Sequence, residues 1–148
     1  MAGESIRDYG AWVDLEANGG AITSGSFVEA NDAGFSLATS GGNRPHLEFE
    51  VEFAFGTGPT AGNLALHHTP QDLFGGTNDG LSPSSTNLAG FLQSIIIATS
   101  TTATQRQRFD VMFAPTDSRY WVQNDGTSQS VSAGWKLRAR AWSLKAAP

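Results

Sequence analysis

The chain contains no cysteine. Disulfides, thiolate-held zinc, iron–sulfur clusters and thiol nucleophiles are thereby excluded. Charge is scarce as well: charged residues make up 16% of the 148, below the share usual for a globular domain. The balance is acidic, with a formal net charge of −5, which argues against nucleic acid or an anionic membrane as partner. No apolar run approaches the roughly 18 residues of a membrane-spanning helix. The start, Met1-Ala2-Gly3-Glu4-Ser5, has no basic segment followed by an apolar one, so no export signal is expected and synthesis in a cytoplasm is. What the chain does have is glycine, 17 residues of it. Its length suits one domain able to bury a core of its own.

The dominant pattern has period two, punctuated by glycine and small polar residues. In His46 to Phe55, Leu47, Phe49, Val51, Phe53 and Phe55 alternate with Glu48, Glu50 and Glu52. One face of this strand is predicted core and the other wet. The turn-rich run from Gly56 to Gly62 ends it, and Asn63 to His68 resumes as strand. Further strands are predicted over 88–98, 105–113, 119–124 and 131–144, with two short ones at Gly25–Glu29 and Gly34–Leu37. Residues 1–11 carry no pattern and read as a flexible N-terminal arm; 12–148 read as a single β-sandwich domain. Leu64, Phe109, Val111, Phe113, Trp135 and Leu137 complete the predicted core. No stretch holds a 3.6-residue period. The expected fold is all-β: an antiparallel two-sheet sandwich, jelly-roll-like, of seven or eight strands.

Few residues combine into chemistry. Glu48, Glu50 and Glu52 put three carboxylates on one strand face, which raises glycosidase or calcium chemistry. A solvated or interface-facing row is the simpler reading. Lys136, Arg138 and Arg140 form the complementary row on the last strand, able to pair with the glutamates within one sheet or across subunits. His67 and His68 point to opposite faces of a strand and make a poor metal pair. The loop over 70–87, which contains Asp72 and Phe74, is long enough to be a binding loop. Trp142 lies on the Lys/Arg face and is the candidate exposed aromatic, whereas Trp135 shares a face with Leu137. Trp121 is predicted core if Tyr120 is not. No G-x-S-x-G, H-E-x-x-H or P-loop is present. No catalytic set, metal or cofactor is therefore expected.

Three stretches carry a resemblance: 51–63 (VEFAFGTGPTAGN), 98–106 (ATSTTATQR) and 134–140 (GWKLRAR), joined by the glycine-rich 75–80 and by 122–127 (VQNDGT). From about Leu47 to Lys145 the chain resembles a family of small virion structural proteins of tailed bacteriophages. The resemblance implies a capsid cement or decoration protein. Such a protein would bind the outer surface of an assembled phage head as a homotrimer and bridge neighbouring copies of the major capsid protein. The candidate interface is then Glu48, Glu50, Glu52, Lys136, Arg138, Arg140, Trp142, Asp72 and Phe74. The competing expectation is a carbohydrate-binding module or phage adhesin that uses surface aromatics.

Overall fold

The computed structural model describes residues 5–30, 42, 44–70, 82–86, 90–111 and 118–147. Among them are nine strands and no helix: β1 (Ser5–Tyr9), β2 (Val13–Gly19), β3 (Phe27–Glu29), β4 (His46–Phe53), β5 (Asn63–Pro70), β6 (Phe91–Ile95), β7 (Gln105–Val111), β8 (Ser118–Asp125) and β9 (Trp135–Ala146). They form two antiparallel sheets. The first runs β1-β9-β4-β7, with β2 also on β9; the second runs β3-β8-β5-β6. From β2 onward the chain changes sheet at every connection except β5 to β6. With β1 set aside, the orders β2-β9-β4-β7 and β3-β8-β5-β6 are those of a jelly roll, two Greek keys folded face to face.

The all-β sandwich expected from the alternation is present, with nine strands where seven or eight were expected. The additional order is at the start of the chain. Ser5–Tyr9, read from the sequence as part of a flexible arm, is strand paired with the end of β9, Tyr9 opposite Trp142 and Ser5 opposite Ala146. β2 then pairs with the first half of β9, Val13 opposite Ala139. The two strands run along one edge of the same long strand, with a break at 10–12 between them. Their sequences hide this because an edge position shows mixed exposure instead of strict alternation. The expected strand at 34–37 lies outside the described residues, as do Phe113 and most of the expected 70–87 loop with Asp72 and Phe74; Pro70 is instead the last residue of β5.

The core is the interleaved inner faces of the two sheets. Leu47, Phe49, Val51, Phe53 and Phe55 are all buried, as are Leu64, Trp135 and Leu137; Phe109 and Val111 pack against them partly buried. Phe49 meets Tyr120 of the opposite sheet edge to face, 5.0 Å between centroids, and lies beside Phe109 at 5.7 Å. Tyr120 is therefore core and Trp121 points outward, its indole N–H donating to Thr69 Oγ1 at 3.2 Å. Trp135 lies against Gly19, where any Cβ would enter the indole ring, and its Nε1 donates to the Gly20 carbonyl at 2.7 Å. Gly62 (φ +87°) starts β5 beside the turn after β8, and a Cβ there would lie 2.5 Å from the Gly126 carbonyl carbon. Asn124, fully buried, ties that turn to the chain before β3 by donating to the carbonyls of Ile22 (2.9 Å) and Gln129 (2.7 Å).

Because Phe49 bridges both sheets, Phe49→Ala is expected to destabilise the fold by about 3–5 kcal/mol, measured by urea unfolding with an unchanged m-value.

Candidate functional site

The outer face of the first sheet gathers most of the residues that the sequence singled out. β4 is its central strand, and register fixes what stands beside each glutamate. Glu48 is flanked by Asp110 and Arg140, Glu50 by Arg108 and Arg138, and Glu52 by Arg106 and Lys136. Each carboxylate thus has basic residues within reach on at least one side. Glu50 is held from both sides: Arg108 Nη2 and Nε donate to Oε2 at 2.5 and 3.1 Å, and Arg138 Nη2 and Nε reach Oε1 at 2.6 and 2.9 Å. Glu52 takes Arg106 on one oxygen and Lys136 on the other, the latter at 3.2 Å. Glu48 accepts from Arg140 Nε at 2.5 Å, with Arg108 3.9 Å away. Glu48 and Glu50 are buried by their partners, only 6% exposed each.

Aromatic rings lie over this lattice. Trp12 sits at the break between β1 and β2, so its ring folds back over the face. It covers the guanidinium groups of Arg140, Arg138 and Arg108 at 4.5, 4.6 and 5.4 Å. Tyr9 lies 3.7 Å from the Arg140 guanidinium carbon. Trp142 is buried, 4% exposed, between a stacked His46 ring (4.3 Å) and Arg7 above it (4.2 Å), and Arg7 reaches on to Asp110 at 2.9 Å. The expectation of an exposed Trp142 is corrected. It lies on the outward face, but its neighbours cover it.

The two charged rows, open from the sequence to pairing within one sheet or across subunits, pair within the sheet. Glu50 and Glu52 each accept hydrogen bonds from two cations and Glu48 from Arg140, while Arg106 and Lys136 stay largely exposed at the end of the row. The row of glutamates is a seam within one sheet. Arg106 and Arg108 were missed in the sequence, although the alternation Gln105-Arg106-Gln107-Arg108 ahead of Phe109 carries the signal. Trp12 was missed because its position depends on the strand break. Asp72 and Phe74 lie outside the described residues.

Burial opposes ionisation of Glu50, yet the hydrogen bonds and charge of Arg108 and Arg138 outweigh it and lower its pKa. Glu52 is lowered by Arg106 and Lys136 against a smaller burial cost. His67 and His68, on opposite faces of β5, are both lowered by burial. Among the described residues no three His, Asp or Glu side chains gather as a metal site.

The stretches that carry the phage resemblance meet in space. The Ser100 N–H donates to the Pro59 carbonyl at 2.7 Å, and Gly58 packs without a side chain against the Ser100–Thr101 backbone. Gln105 closes the same corner, exchanging hydrogen bonds of 2.6 and 3.0 Å with the backbone of Ala98. No protein-family model matches the chain, and no curated protein matches it. Two solved structures show partial likeness. One, described as "Bacillus endospore appendages form a novel family of disulfide-linked pili", is 8% identical with a TM-score of 0.32, over 97% of this chain and 94% of that one. The other, a structure of infectious bursal disease virus Gx strain, is 12% identical with a TM-score of 0.36. It matches over 93% of this chain, which spans 32% of that one. Scores this low do not establish a common fold.

Three outcomes test the lattice. Glu50→Gln is expected to cost about 1–2 kcal/mol at neutral pH, since two half-exposed arginines lose a shared carboxylate. The depressed pKa of Glu50 and Glu52 means that the unfolded chain binds more protons than the folded one just below the ordinary carboxylate range. Stability therefore holds above that range and falls as pH drops through the lowered folded values. Urea melts from pH 7 to pH 3 should show this fall, and it should be shallower in Glu50→Gln. Trp12→Ala should cost about 1–2 kcal/mol in the same assay through lost cation–π contacts, with far-UV circular dichroism unchanged.

Proposed function

We propose that this chain is a virion structural protein, a capsid cement or decoration protein that binds the outer surface of an assembled phage head and bridges neighbouring capsid subunits. The observation that carries the reading is the resemblance over 51–63, 98–106 and 134–140. The corner that the first two of these form by hydrogen bonds is consistent with it. Cementing asks for stiffness and contact area and needs no reaction. The described residues support the stiffness. The ion lattice cross-links three strands on one face of β4 while the core packs the other.

With the charged rows occupied, contact with other chains falls to apolar groups left exposed. At the β1–β9 edge, Leu144 (60% exposed) and Tyr9 stand on the lattice face and Ile6 on the reverse. Among the described residues β1 is also an edge strand, with one side of its backbone unpaired in the sheet. Such an edge suits strand-to-strand or apolar docking between subunits. In this reading three copies assemble at a local threefold position on the head, each adding to the effective concentration of the next.

Light scattering on the purified chain is expected to give the mass of a trimer, and the chain should cosediment with heads lacking it at a fixed ratio to the major capsid protein. Leu144→Asp, with the fold intact by circular dichroism, should weaken cosedimentation at least tenfold. A monomer that ignores assembled heads would reject the proposal.

A further inference from the structure

The second sheet has a feature that cementing does not use. On its outer face, away from the ion lattice, a groove of about 500 Å³ is lined by Asn63, Ala65, His67, Ser85, Phe91, Ser94, Gln123 and Asp125. That volume lies within the range of small-molecule sites. Cross-strand pairing brings these side chains together: Asn63 stands opposite Asp125, Ala65 opposite both Gln123 and Ser94, and His67 opposite Phe91.

The local backbone departs from regular sheet here. Pairing of β5 with β6 slips between Leu66 and His67, and Gly90 (φ +81°) packs its bare Cα against the His68 carbonyl just before Phe91. Such irregularities re-aim side chains and gather beside functional sites. The result is a Phe91 ring 55% exposed at the groove, standing edge to face against a His67 that is 1% exposed, 5.6 Å between centroids. Phe27 closes the other side of His67 at 5.2 Å.

The polar chemistry is specific. His67 Nε2–H donates to Gln123 Oε1 at 3.0 Å, which leaves Nδ1 as an acceptor; among the described residues it has no partner. Asn63 spends its amide N–H groups on Ser94 Oγ (2.7 Å) and the Leu64 carbonyl, so its carbonyl oxygen is left to accept. Asp125 is an exposed carboxylate. The lining holds no lysine or arginine, and the one arginine of this sheet, Arg119, is paired with Glu29 at 2.8 Å. Among the described residues the lining has one carboxylate and no cation, which disfavours anions, and its amides and hydroxyls suit a ligand that both donates and accepts hydrogen bonds. An exposed aromatic ring adds an apolar platform beside them.

We propose that this groove binds a neutral saccharide unit, with Phe91 as the stacking platform, Asn63 and Asp125 as acceptors for its hydroxyl groups and the Gln123 amide N–H as a donor. The site is independent of the cementing role, and it sits on the opposite side of the sandwich from the ion lattice. Free sugar and the sugar units of a surface polysaccharide share this chemistry.

The test has two arms, both on the full chain. In one, a glycan array of neutral and acidic glycans is probed; in the other, glucose, galactose, mannose and N-acetylglucosamine are titrated while amide resonances are followed, with glucuronate and choline as charged controls. The expected result is binding to neutral glycans, with shifts centred on Asn63, His67, Phe91, Gln123 and Asp125. Shifts with the free monosaccharides assign a pocket for single sugars; binding on the array alone assigns a polysaccharide surface, and Phe91→Ala must then weaken it. Phe91→Ala and Asn63→Ala, each with an unchanged amide spectrum elsewhere, should weaken binding by about tenfold. No binding in either arm, shifts confined to the other sheet, stronger binding of glucuronate or choline, or a Phe91→Ala variant that binds normally would each overturn the proposal.

Discussion

Everything on the first sheet depends on the demand that β4 be buried on both faces. Its inner face is a run of large apolar side chains under the second sheet. Its outer face carries carboxylates, which burial alone would penalise by several kcal/mol for each unpaired charge. The neighbouring strands resolve this by register. β7 and β9 set basic side chains on either side of Glu50 and Glu52, and β9 sets Arg140 beside Glu48. A slip of one residue in either pairing would send the arginines toward the core and leave the glutamates unpaired. The ion seam therefore specifies register at least as much as it adds stability.

The same demand explains the otherwise plain N-terminal segment. β1 and β2 share one edge of β9, and the break between them drops Trp12 onto three guanidinium groups. The ring adds cation–π contacts to arginines that already pair with the glutamates beneath. Tyr9 and Arg7 extend the cover toward Trp142. The outer face of the first sheet is thus cross-linked around its glutamates, and the exposed apolar groups lie at the sheet edge and on the second sheet.

The two outer faces differ in chemistry for a simple reason. The basic side chains of the described sheets, with the exception of Arg119, belong to the first sheet or to the arginine that pairs with Asp8 at its edge. The second sheet shows amides, hydroxyls and aromatic rings instead, with the Arg119–Glu29 pair and the Asp125 carboxylate. One face is closed upon itself by charge, and the other keeps a groove.

The alternation in His46–Phe55 by itself determined a strand, its inner face and the row of glutamates, because a period of two maps directly onto the two sides of a pleat. The same held for Trp135 and Leu137 against Lys136, Arg138 and Arg140, and from these runs the all-β sandwich followed. What sequence could not decide was who stands beside whom. Glu50 meets Arg108 and Arg138 only because β7 and β9 flank β4, and those pairings join residues 58 and 88 positions apart. Trp142 carries an outward pattern but is buried, because cover comes from His46 and Arg7, two strands that its own neighbours in the chain do not predict. Tyr120 and Trp121, adjacent and alike, were divided between core and surface by which face of β8 met Phe49. Faces are local consequences of the backbone; partners are long-range consequences of topology, and only the folded chain holds them.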